Sequence, residues 1–337
     1  MSVSPLEQLA NGHVDAMLLA EIGEEVALVE AELQNQMASR VGTVHGAGQL
    51  TLRAGGKRLR PAFVTLAARA TGLPFDANRT RRLGACMEMI HMATLIHDDV
   101  IDNSPTRRGK PTAAAEFGNP AAILSGDVLL AKAMRLLSED GDLEVIRTVS
   151  QSVIEVAEGE VRELEVRGNF DLHEEDHLEV LRLKTASFIQ CCCEIGAIVA
   201  GASAEVRHAL STYGHHVGMA FQIVDDLLDY RGDRAKTGKP IATDFREAQA
   251  TLPLIYLRSL LTDQESELAR KRFGNGVTEE EIRMMVQWMD VRGAFAKSEA
   301  LAESHLQSAF RQLEDLPASS SRKLLSAVAE YVISRNS

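Results

Sequence analysis

The sequence predicts an all-α protein, and three observations support this fold class. Apolar residues recur at i, i+3 and i+4 along the 337-residue chain, which is the period of an amphipathic helix. Alternating apolar and polar runs joined by hairpin turns, the pattern of antiparallel strands, are absent. Aromatic residues make up only 4% of the chain, so the core is expected to be aliphatic. No low-complexity linker interrupts the sequence, which favours one domain over residues 1–337.

Glycine and proline separate the predicted helices. Ser125-Gly126-Asp127 is typical of a helix start. Asn103-Ser104-Pro105 predicts a helix end, because proline disfavours helical backbone at the preceding residue. The predicted helices cover residues 14–37, 82–101, 126–137, 143–167, 174–200, 204–230, 279–288 and 313–336. A motif-bearing core at about 50–260 therefore precedes C-terminal helices at about 279–337.

The net charge and the absence of long apolar runs limit the classes of partner that we expect for this protein. The net charge is -12, from 36 basic and 48 acidic residues, whereas nucleic-acid binding needs a basic surface. The first 20 residues lack the basic and apolar segments of a signal peptide. No apolar run approaches the length of a transmembrane helix. We therefore expect a cytoplasmic protein with no transmembrane segment and no nucleic-acid partner.

The four cysteines are predicted to be structural. They are Cys86 and the run Cys191-Cys192-Cys193, and no pair has the C-x₂-C spacing of a zinc or redox site. Consecutive helical residues point about 100° apart, so the run cannot converge on one metal ion. Small apolar core or interface residues in a reducing compartment are the favoured interpretation.

Two aspartate clusters of the same form are the strongest chemical signal. Asp98-Asp99-Val100-Ile101-Asp102 and Asp225-Asp226-Leu227-Leu228-Asp229 each place carboxylates at i and i+4, on one face of a helix. Both follow strongly apolar segments, in which ionised carboxylates resist loss of water and repel one another. A divalent cation would supply the missing counter-charge, and Mg²⁺ prefers oxygen ligands that it shares with substrate phosphates.

Four basic segments accompany the clusters in this acidic chain. Arginine forks and lysine ammonium groups suit phosphate oxygens, and neighbouring glycines let backbone approach an anion. Each segment taken alone is more often a solvated charge group. Together with two carboxylate clusters they indicate diphosphate chemistry, in which the charge of a leaving diphosphate must be neutralised. The segments are 55–61, Arg107-Arg108, Lys184-Thr185 and 236–239.

The motifs also occur in a recognisable order. They are Gly55-Gly56-Lys57-Arg58-Leu59-Arg60-Pro61, Glu88-Met89-Ile90-His91, His97 with the first aspartate cluster, Arg107-Arg108-Gly109, Gly126-Asp127, Glu158-Gly159-Glu160, Leu183-Lys184-Thr185-Ala186, Phe221-Gln222 with the second cluster, and Gly238-Lys239-Pro240. This set resembles the trans-prenyltransferase family, the polyprenyl or isoprenyl diphosphate synthases. The resemblance implies an all-helical isoprenoid synthase fold, a single bundle around a deep central cavity, usually in a homodimer.

The resemblance also implies an activity and a set of residue roles. Isopentenyl diphosphate would condense head-to-tail onto an allylic diphosphate, farnesyl or geranylgeranyl, after ionisation to an allylic cation, and the released diphosphate would accept the lost proton. Asp98 and Asp102 would face Asp225 and Asp229 across the cavity mouth and hold up to three Mg²⁺. Lys184 joins Asp98, Asp102 and Asp225 as an expected catalytic residue. The implied allylic contacts are Arg107, Lys184, Thr185, Gln222 and Lys239, and the implied isopentenyl contacts are Lys57, Arg60, His91 and Arg108.

No catalytic or substrate-binding role is assigned to Gln249, His97 or the pair His215-His216. Gln249 stands where the family frequently has a diphosphate-contacting lysine, which removes one charge from the allylic site. His97 adjoins Asp98 but points about 100° away from it, which favours a structural role. His215-His216 has no carboxylate at ligand spacing and is interpreted as structural or related to a dimer.

Residues upstream of Asp98 are expected to limit product length, because this helix lines the elongation cavity in the family. One helical turn rises about 5.4 Å, roughly one prenyl unit. Ala93 and Thr94 stand where short-chain enzymes commonly have an aromatic residue, and Ile90 and Met134 would lie deeper. The hypothesis is a medium-to-long product, around octaprenyl. The alternative is a geranylgeranyl or farnesyl product, if another wall closes the cavity early.

Two other classes of protein share part of this pattern. A class I terpene cyclase shares the first aspartate cluster, but it usually has an Asn/Ser/Glu metal motif as its second and needs no second diphosphate site. A non-catalytic subunit tends to lose aspartates from one cluster, whereas both are intact here. The sequence therefore favours an active synthase.

Overall fold

The structure is a computed structural model that describes residues 16–56, 58–232 and 241–334. Lys57 and Lys239 lie outside the described residues. The helices are α1 (Ala16–Gln36), α2 (Gly42–Arg53), α3 (Leu59–Ala70), α4 (Ala77–Ile101), α5 (Ala113–Phe117), α6 (Asn119–Asp140), α7 (Leu143–Val166), α8 (Glu174–Leu181), a π-helical segment (Arg182–Ala186), α9 (Ser187–Val199), α10 (Ala204–Arg231), α11 (Thr243–Arg246), α12 (Leu252–Arg258), α13 (Asp263–Arg272), α14 (Glu279–Val291), α15 (Ala294–Glu314) and α16 (Ser320–Ser334). Helices dominate this part of the chain, which confirms the all-α prediction.

The chain divides into two compact units. The described residues of unit 1 are 16–56, 58–150, 191–211 and 316–327, and those of unit 2 are 151–190, 212–232, 241–315 and 328–334. The single-domain organisation remains a prediction. No helix in the described part of the chain is both long enough and apolar enough to cross a membrane.

Unit 1 is built around α4, which packs against α1, α3 and α6. Met87, Met89 and Ile90 on α4 are at most 1% exposed, so this helix runs through the aliphatic core. Burying side chains of this size stabilises the fold by about 1.5–3 kcal/mol each. All four cysteines are buried, unpaired by disulfides and part of this unit, which confirms their interpretation as core residues.

Unit 2 has a second core, in which α12 packs against α14 and α15. The ring of Phe273 makes edge-to-face contacts with Phe170 and Phe245, with ring centroids 5.5 and 5.4 Å apart. Such aromatic pairs add about 0.5–1.5 kcal/mol to the area that they bury. Phe273, which follows α13, thus connects α11 with the segment that precedes α8, and both α11 and α8 carry residues of the site described below.

The helix start predicted at Ser125-Gly126-Asp127 is wrong. Helix α6 begins at Asn119, after Gly118 as its N-cap and with a proline in its first turn, a position that suits proline. Gly126 lies inside the helix, and a Cβ at this position would overlap the ring of His97. Gly126 is therefore a residue of close packing and not a helix boundary.

Other predicted helices also differ from the structure. The helix containing the first aspartate cluster begins at Ala77, with the Asp76 carboxylate capping two backbone N–H groups, and it ends at Ile101 as predicted. The helix predicted over 174–200 is interrupted by the π-helical segment at Arg182–Ala186. The last predicted helix began at residue 313, but Leu313 lies in α15 and α16 starts at Ser320.

Candidate functional site

The first aspartate cluster occupies the last turn of α4 in unit 1. Asp98 is half-buried and Asp102 is the exposed C-cap residue of the helix. The backbone N–H of Asp102 donates to the carbonyl oxygen of Asp98 at 2.8 Å, so the helical turn persists through the cluster. The predicted i, i+4 placement on one helix face is confirmed, because residues four apart are neighbours in such a turn.

A short hairpin after α4 positions Arg107 against the same cluster. Strands β1 (Thr106–Arg107) and β2 (Lys110–Pro111) are antiparallel, although the sequence predicted only a loop here. Arg108 and Gly109 form the connection with φ of 53° and 73°, and two-residue hairpins with positive φ at both positions are type I′ turns. Arg107 Nε donates to Asp99 Oδ1 at 2.9 Å. Asp99 is thus an anchor for Arg107, which the sequence did not indicate.

Four arginines concentrate positive charge around His91. Burial holds the pKa of His91 well below its usual value, and Arg60, Arg107, Arg108 and Arg58 lower it further. His91 is therefore neutral near pH 7. Burial also lowers the pKa of Arg60, and burial with two neighbouring arginines lowers the pKa of Arg108. An anion bound among these groups would relieve their mutual repulsion.

Arg58 fixes the backbone that carries Arg60. It is the N-cap residue of α3, with a left-handed φ of 48° that costs an arginine about 1–2 kcal/mol. Its guanidinium is 5% exposed and donates to Glu88 Oε1 at 2.7 Å, the Leu52 carbonyl at 2.9 Å and Glu30 Oε1 at 3.2 Å. These partners offset the strain. The sequence placed Arg58 and Glu88 in motifs, but their pairing across 30 positions has no local signal.

The second aspartate cluster lies on α10 in unit 2. Asp229 accepts two backbone hydrogen bonds, from Thr243 N–H to Oδ1 at 3.1 Å and from Asp244 N–H to Oδ2 at 3.0 Å. Burial raises the pKa of Asp229 in spite of these bonds. Burial also raises the pKa of Asp244 well above its usual value, and the nearby Asp229, Asp226 and Glu163 add to this effect. A cation placed among these carboxyl groups would favour their ionised forms.

The middle aspartate of this cluster is held by a histidine. His177 Nε2 lies 2.8 Å from Asp226 Oδ2, and both side chains are less than 10% exposed. A buried carboxylate needs such a partner, and the contact orients Asp226 beside Asp225. Sequence reasoning did not identify His177. The available signal was a histidine seven residues before Lys184, a spacing that would place both on one face of a regular helix.

Lys184 and Thr185 occupy the π-helical segment of unit 2. Lys184 Nζ lies 2.9 Å from Glu160 Oε2 and 2.7 Å from Glu163 Oε2. Burial acts to lower the pKa of Lys184, but the two glutamates outweigh it and hold this pKa above its usual value, so the ammonium form persists. Thr185 Oγ1 donates to Gln222 Oε1 at 3.1 Å. Because Lys184 adjoins Thr185, three predicted substrate residues lie close together.

Two glycines allow neighbouring helices to approach this segment. A Cβ on Gly159 would lie 2.7 Å from the Lys184 backbone nitrogen, and one on Gly218 would lie 2.6 Å from Ala186 Cα. Real side chains do not tolerate such distances. Helices α7 and α10 can therefore contact the π-helical segment closely only because both positions are glycine.

Gly159→Ala should disturb the position of Lys184. The added methyl group overpacks the contact with the π-helical segment, which typically costs about 1–3 kcal/mol. We expect a lower melting temperature and an allylic-substrate KM raised about 10-fold, measured by thermal unfolding and steady-state kinetics. Gly23→Ala in α1 is the matched control, because nothing lies within 4 Å of its Cβ position. Equal melting temperatures and equal allylic-substrate KM values in the two variants would exclude the packing role of Gly159.

A cavity in unit 2 brings these groups together. Its wall contains the cations Lys184 and Arg167, three carboxyl side chains and several neutral residues. The lining residues are Glu163, Val166, Arg167, His177, Val180, Leu181, Lys184, Thr185, Gln222, Asp226, Asp244, Gln249 and Thr251. Gln249, singled out in the sequence as a departure from the family pattern, thus shares a cavity with Lys184, Thr185 and Gln222.

The donor chemistry of both clusters fits Mg²⁺. Carboxylate oxygens are hard ligands, and Mg²⁺ uses one or two protein carboxylates while phosphate oxygens and water complete its coordination. Within the described ranges, no three or more His, Cys, Asp or Glu side chains form a metal-binding group. A carboxylate pair on a helical turn suits an ion shared with a substrate phosphate better than a closed structural site.

The structure places the remaining predicted residues as follows. His97 contacts the Ile123 carbonyl through Nε2 at 3.2 Å and packs on Gly126, in agreement with a structural role. His215 and His216 lie beside His305, and the Nδ1 atoms of His216 and His305 are 3.0 Å apart. The proposed length-limiting residues all belong to unit 1: Ala93 and Ile90 are buried, and Thr94 and Met134 are half-buried.

The chain matches known proteins along most of its length. A family model described as polyprenyl synthetase matches residues 43–289. The octaprenyl diphosphate synthase of Escherichia coli is 34% identical over 313 residues, which cover 93% of this chain and 96% of that protein.

Two solved structures share the fold. The decaprenyl diphosphate synthase of Rhodobacter capsulatus aligns with a TM-score of 0.90 and 33% identity, over 99% of this chain and 100% of that chain. A polyprenyl synthase of Caulobacter crescentus, solved with calcium and isoprenyl diphosphate, aligns with a TM-score of 0.87 and 32% identity, over 100% of both chains.

Proposed function

Because this chain belongs to the polyprenyl synthetase family and is a trans-prenyltransferase, we propose that it condenses isopentenyl diphosphate head-to-tail onto an allylic diphosphate. The observation that carries this proposal is the presence of two carboxylate clusters, each beside cationic side chains. Arg107 is bound to the first cluster through Asp99, and Lys184 shares a cavity with Asp226. The products are an all-trans polyprenyl diphosphate and free diphosphate.

The aspartates are proposed to hold magnesium ions on the allylic diphosphate. Asp98 and Asp102 would supply ligands from α4, and Asp225 and Asp229 would supply them from α10, for up to three ions. When bound, Mg²⁺ neutralises the charge that develops on the departing diphosphate. The related polyprenyl synthase of Caulobacter crescentus was solved with calcium and isoprenyl diphosphate, which supports the use of a divalent cation together with a diphosphate. Together with Lys184, three of these aspartates, Asp98, Asp102 and Asp225, form the proposed catalytic set.

The basic side chains and their polar neighbours are proposed to bind the two diphosphates. Arg107, Lys184, Thr185, Gln222 and Lys239 would contact the allylic substrate. Lys57, Arg60, His91 and Arg108 would hold isopentenyl diphosphate. The arginines around His91 support this assignment, because their repulsion favours a bound anion and the neutral imidazole can still donate a hydrogen bond. The released diphosphate would accept the proton lost from the condensation product.

The product is proposed to be of medium-to-long chain length, around octaprenyl, with farnesyl or geranylgeranyl diphosphate as primer. Ala93 and Ile90 are aliphatic and buried in α4, and no aromatic side chain occupies either position. The octaprenyl and decaprenyl synthases among the relatives support this range. Another wall that closes the cavity early would instead give geranylgeranyl diphosphate.

A homodimer in the cytoplasm remains our expectation. In unit 1, the adjacent residues Ile123 and Leu124 on α6 are 42% and 62% exposed, an apolar pair that a second copy of the chain could cover. Sedimentation of the purified protein tests this expectation, because a monomer at micromolar concentration would contradict it.

Incubation with Mg²⁺, isopentenyl diphosphate and farnesyl diphosphate tests the proposed function. We expect elongated all-trans diphosphates after lipid extraction, and no product when the cation is chelated. Cyclic hydrocarbons formed from farnesyl diphosphate alone would instead identify a terpene cyclase. A protein that forms neither product, but stimulates a second chain, would be the non-catalytic subunit.

A further inference from the structure

The wall of the unit 2 cavity contains a threonine hydroxyl group that lacks a partner in the protein. Thr251 lines this cavity and is 4% exposed. It is the N-cap residue of α12, but its side chain accepts no capping hydrogen bond. Its Oγ1 atom makes no hydrogen bond to any other group in the described part of the chain. A buried hydroxyl group without a partner is costly, so this position is suited to a small polar molecule.

A second hydroxyl group of the same kind lies beside it. Tyr230 on α10 is 2% exposed, and its Oη atom makes no hydrogen bond to the residues that the structure describes. Burial raises the pKa of Tyr230 well above its usual value, and the carboxyl groups of Asp244, Asp229 and Asp226 add to this effect. The neighbouring Thr251 hydroxyl acts in the opposite direction. The phenol therefore keeps its proton near pH 7 and can donate a hydrogen bond.

Asp244 provides a third polar group at this place. It lines the same cavity, and of the three carboxyl groups it acts most strongly on the phenol of Tyr230. Its backbone is fixed on both sides: its N–H donates to Asp229 Oδ2 at 3.0 Å, and its carbonyl oxygen accepts from the Gln249 N–H at 2.8 Å. Two hydroxyl groups and one carboxyl group thus lie together next to the second aspartate cluster.

A water molecule is the partner that suits all three groups. The cavity has a volume of about 130 Å³, which exceeds the space that one water molecule needs. A buried water typically makes about three hydrogen bonds. It can accept from the phenol of Tyr230, donate to the carboxylate of Asp244 and bond to the Thr251 hydroxyl in either direction. A phosphate oxygen is less suitable, because it cannot donate to Asp244 and would be repelled by its charge.

We propose that Tyr230 and Thr251 bind a buried water molecule together with the carboxyl group of Asp244, and that both are positioning residues for the second aspartate cluster. The water holds the side chain of Asp244, whose backbone N–H in turn orients Asp229, a proposed magnesium ligand. Loss of either hydroxyl group weakens cation binding at the cluster. This effect on magnesium rests on the proposed function, whereas the water site does not.

A crystal structure of the wild-type protein tests the site directly. We expect an ordered water within about 3.2 Å of Tyr230 Oη, Thr251 Oγ1 and a carboxyl oxygen of Asp244. A direct hydrogen bond between the two hydroxyl groups, or hydroxyl groups without any partner, would overturn the proposal.

Thermal unfolding of Tyr230→Phe gives a second test, in which the sign of the change is decisive. Loss of a hydroxyl group that is bonded through water should lower the melting temperature by about 2 °C. Removal of a hydroxyl group that has no partner should instead raise the melting temperature, because its burial is unfavourable. An unchanged or higher melting temperature would therefore contradict the water site.

The matched control is Tyr256→Phe on α12. The Tyr256 hydroxyl donates to Glu174 Oε1 at 2.7 Å, and this residue does not line the cavity. Both phenylalanine variants should melt at a lower temperature than the wild type. Only Tyr230→Phe should raise the Mg²⁺ concentration for half-maximal turnover, by about 5–10-fold, with kcat at saturating Mg²⁺ nearly unchanged.

Substitutions at Thr251 separate the hydroxyl group from the shape of the side chain. Thr251→Val should raise the magnesium requirement as Tyr230→Phe does, whereas Thr251→Ser, which keeps the hydroxyl group, should not. An equal magnesium requirement in Tyr230→Phe and Tyr256→Phe would refute the positioning role. The absence of elongation by the wild-type protein would instead contradict the proposed function, while the crystal structure and the melting temperatures would still test the water site.

Discussion

Asp98→Ala and Asp225→Ala should each lower the rate of isopentenyl transfer at least about 10³-fold, which corresponds to about 4 kcal/mol of lost transition-state stabilisation. Each substitution removes a proposed magnesium ligand, and the remaining aspartate of its cluster would have to hold the cation with fewer oxygens. The effect should appear in kcat, because the cation acts mainly on the charge that develops as the diphosphate leaves. Steady-state incorporation of labelled isopentenyl diphosphate measures it.

The control for this prediction is an exposed carboxylate. Asp290 on α14 is 71% exposed and lies 3.9 Å from Arg231, so Asp290→Ala should retain the wild-type rate. Asp225 gives a cleaner test than Asp229, since Asp229 also accepts the backbone N–H groups of Thr243 and Asp244. Near-normal turnover in Asp98→Ala or Asp225→Ala would remove that aspartate from the metal site.

Ala93→Phe should shorten the main product by several prenyl units. Ala93 lies five residues before Asp98 on α4, which corresponds to about 7.5 Å along the helix axis. A growing chain that passes this level would meet the ring. Ile90→Phe, about 4.5 Å further from the aspartates, should allow roughly one more unit before it blocks elongation. Chromatography of the dephosphorylated products against all-trans standards measures both lengths.

This experiment needs a control for folding, because Ala93 is buried. Ala93 is 2% exposed, and a larger side chain in a buried position typically costs about 1–3 kcal/mol. Ala93→Val, which adds less volume, should leave product length unchanged, and thermal unfolding of each variant separates steric blocking from loss of structure. An unchanged product length in a folded Ala93→Phe variant would contradict the steric account.

Local sequence patterns predicted the parts of the fold that local forces determine. The 3.6-residue period placed most helices, and the i, i+4 aspartates lie on a helical turn as predicted. The helix start predicted at Gly126 was wrong, because a glycine can mark either a helix boundary or a close contact between helices. Its contact is the ring of His97, which lies on another helix and leaves no local signal.

The π-helical segment could not be predicted for a related reason. Residues Arg182–Ala186 contain neither glycine nor proline, so the sequence continues as an ordinary helix there. The glycines that permit close packing lie elsewhere, at positions 159 and 218. The extra residue in the turn, which presents Lys184 and Thr185, is therefore associated with tertiary packing and not with local propensity.

Sequence motifs predicted the site residues that have proposed chemical roles. They did not predict the residues that only support another side chain. The aspartates, Lys184, Thr185 and Gln222 belong to contiguous motifs. Asp226 and His177 are 49 positions apart, and no spacing rule connects them.

Coupled measurement of diphosphate release and isopentenyl incorporation tests the proposed prenyl transfer most directly. We expect one diphosphate to be released for each isopentenyl unit added, with both processes dependent on an allylic primer and on Mg²⁺. Diphosphate release without incorporation would indicate ionisation followed by cyclisation or hydrolysis. That result, or incorporation that persists after removal of divalent cations, would contradict metal-assisted prenyl transfer by this protein.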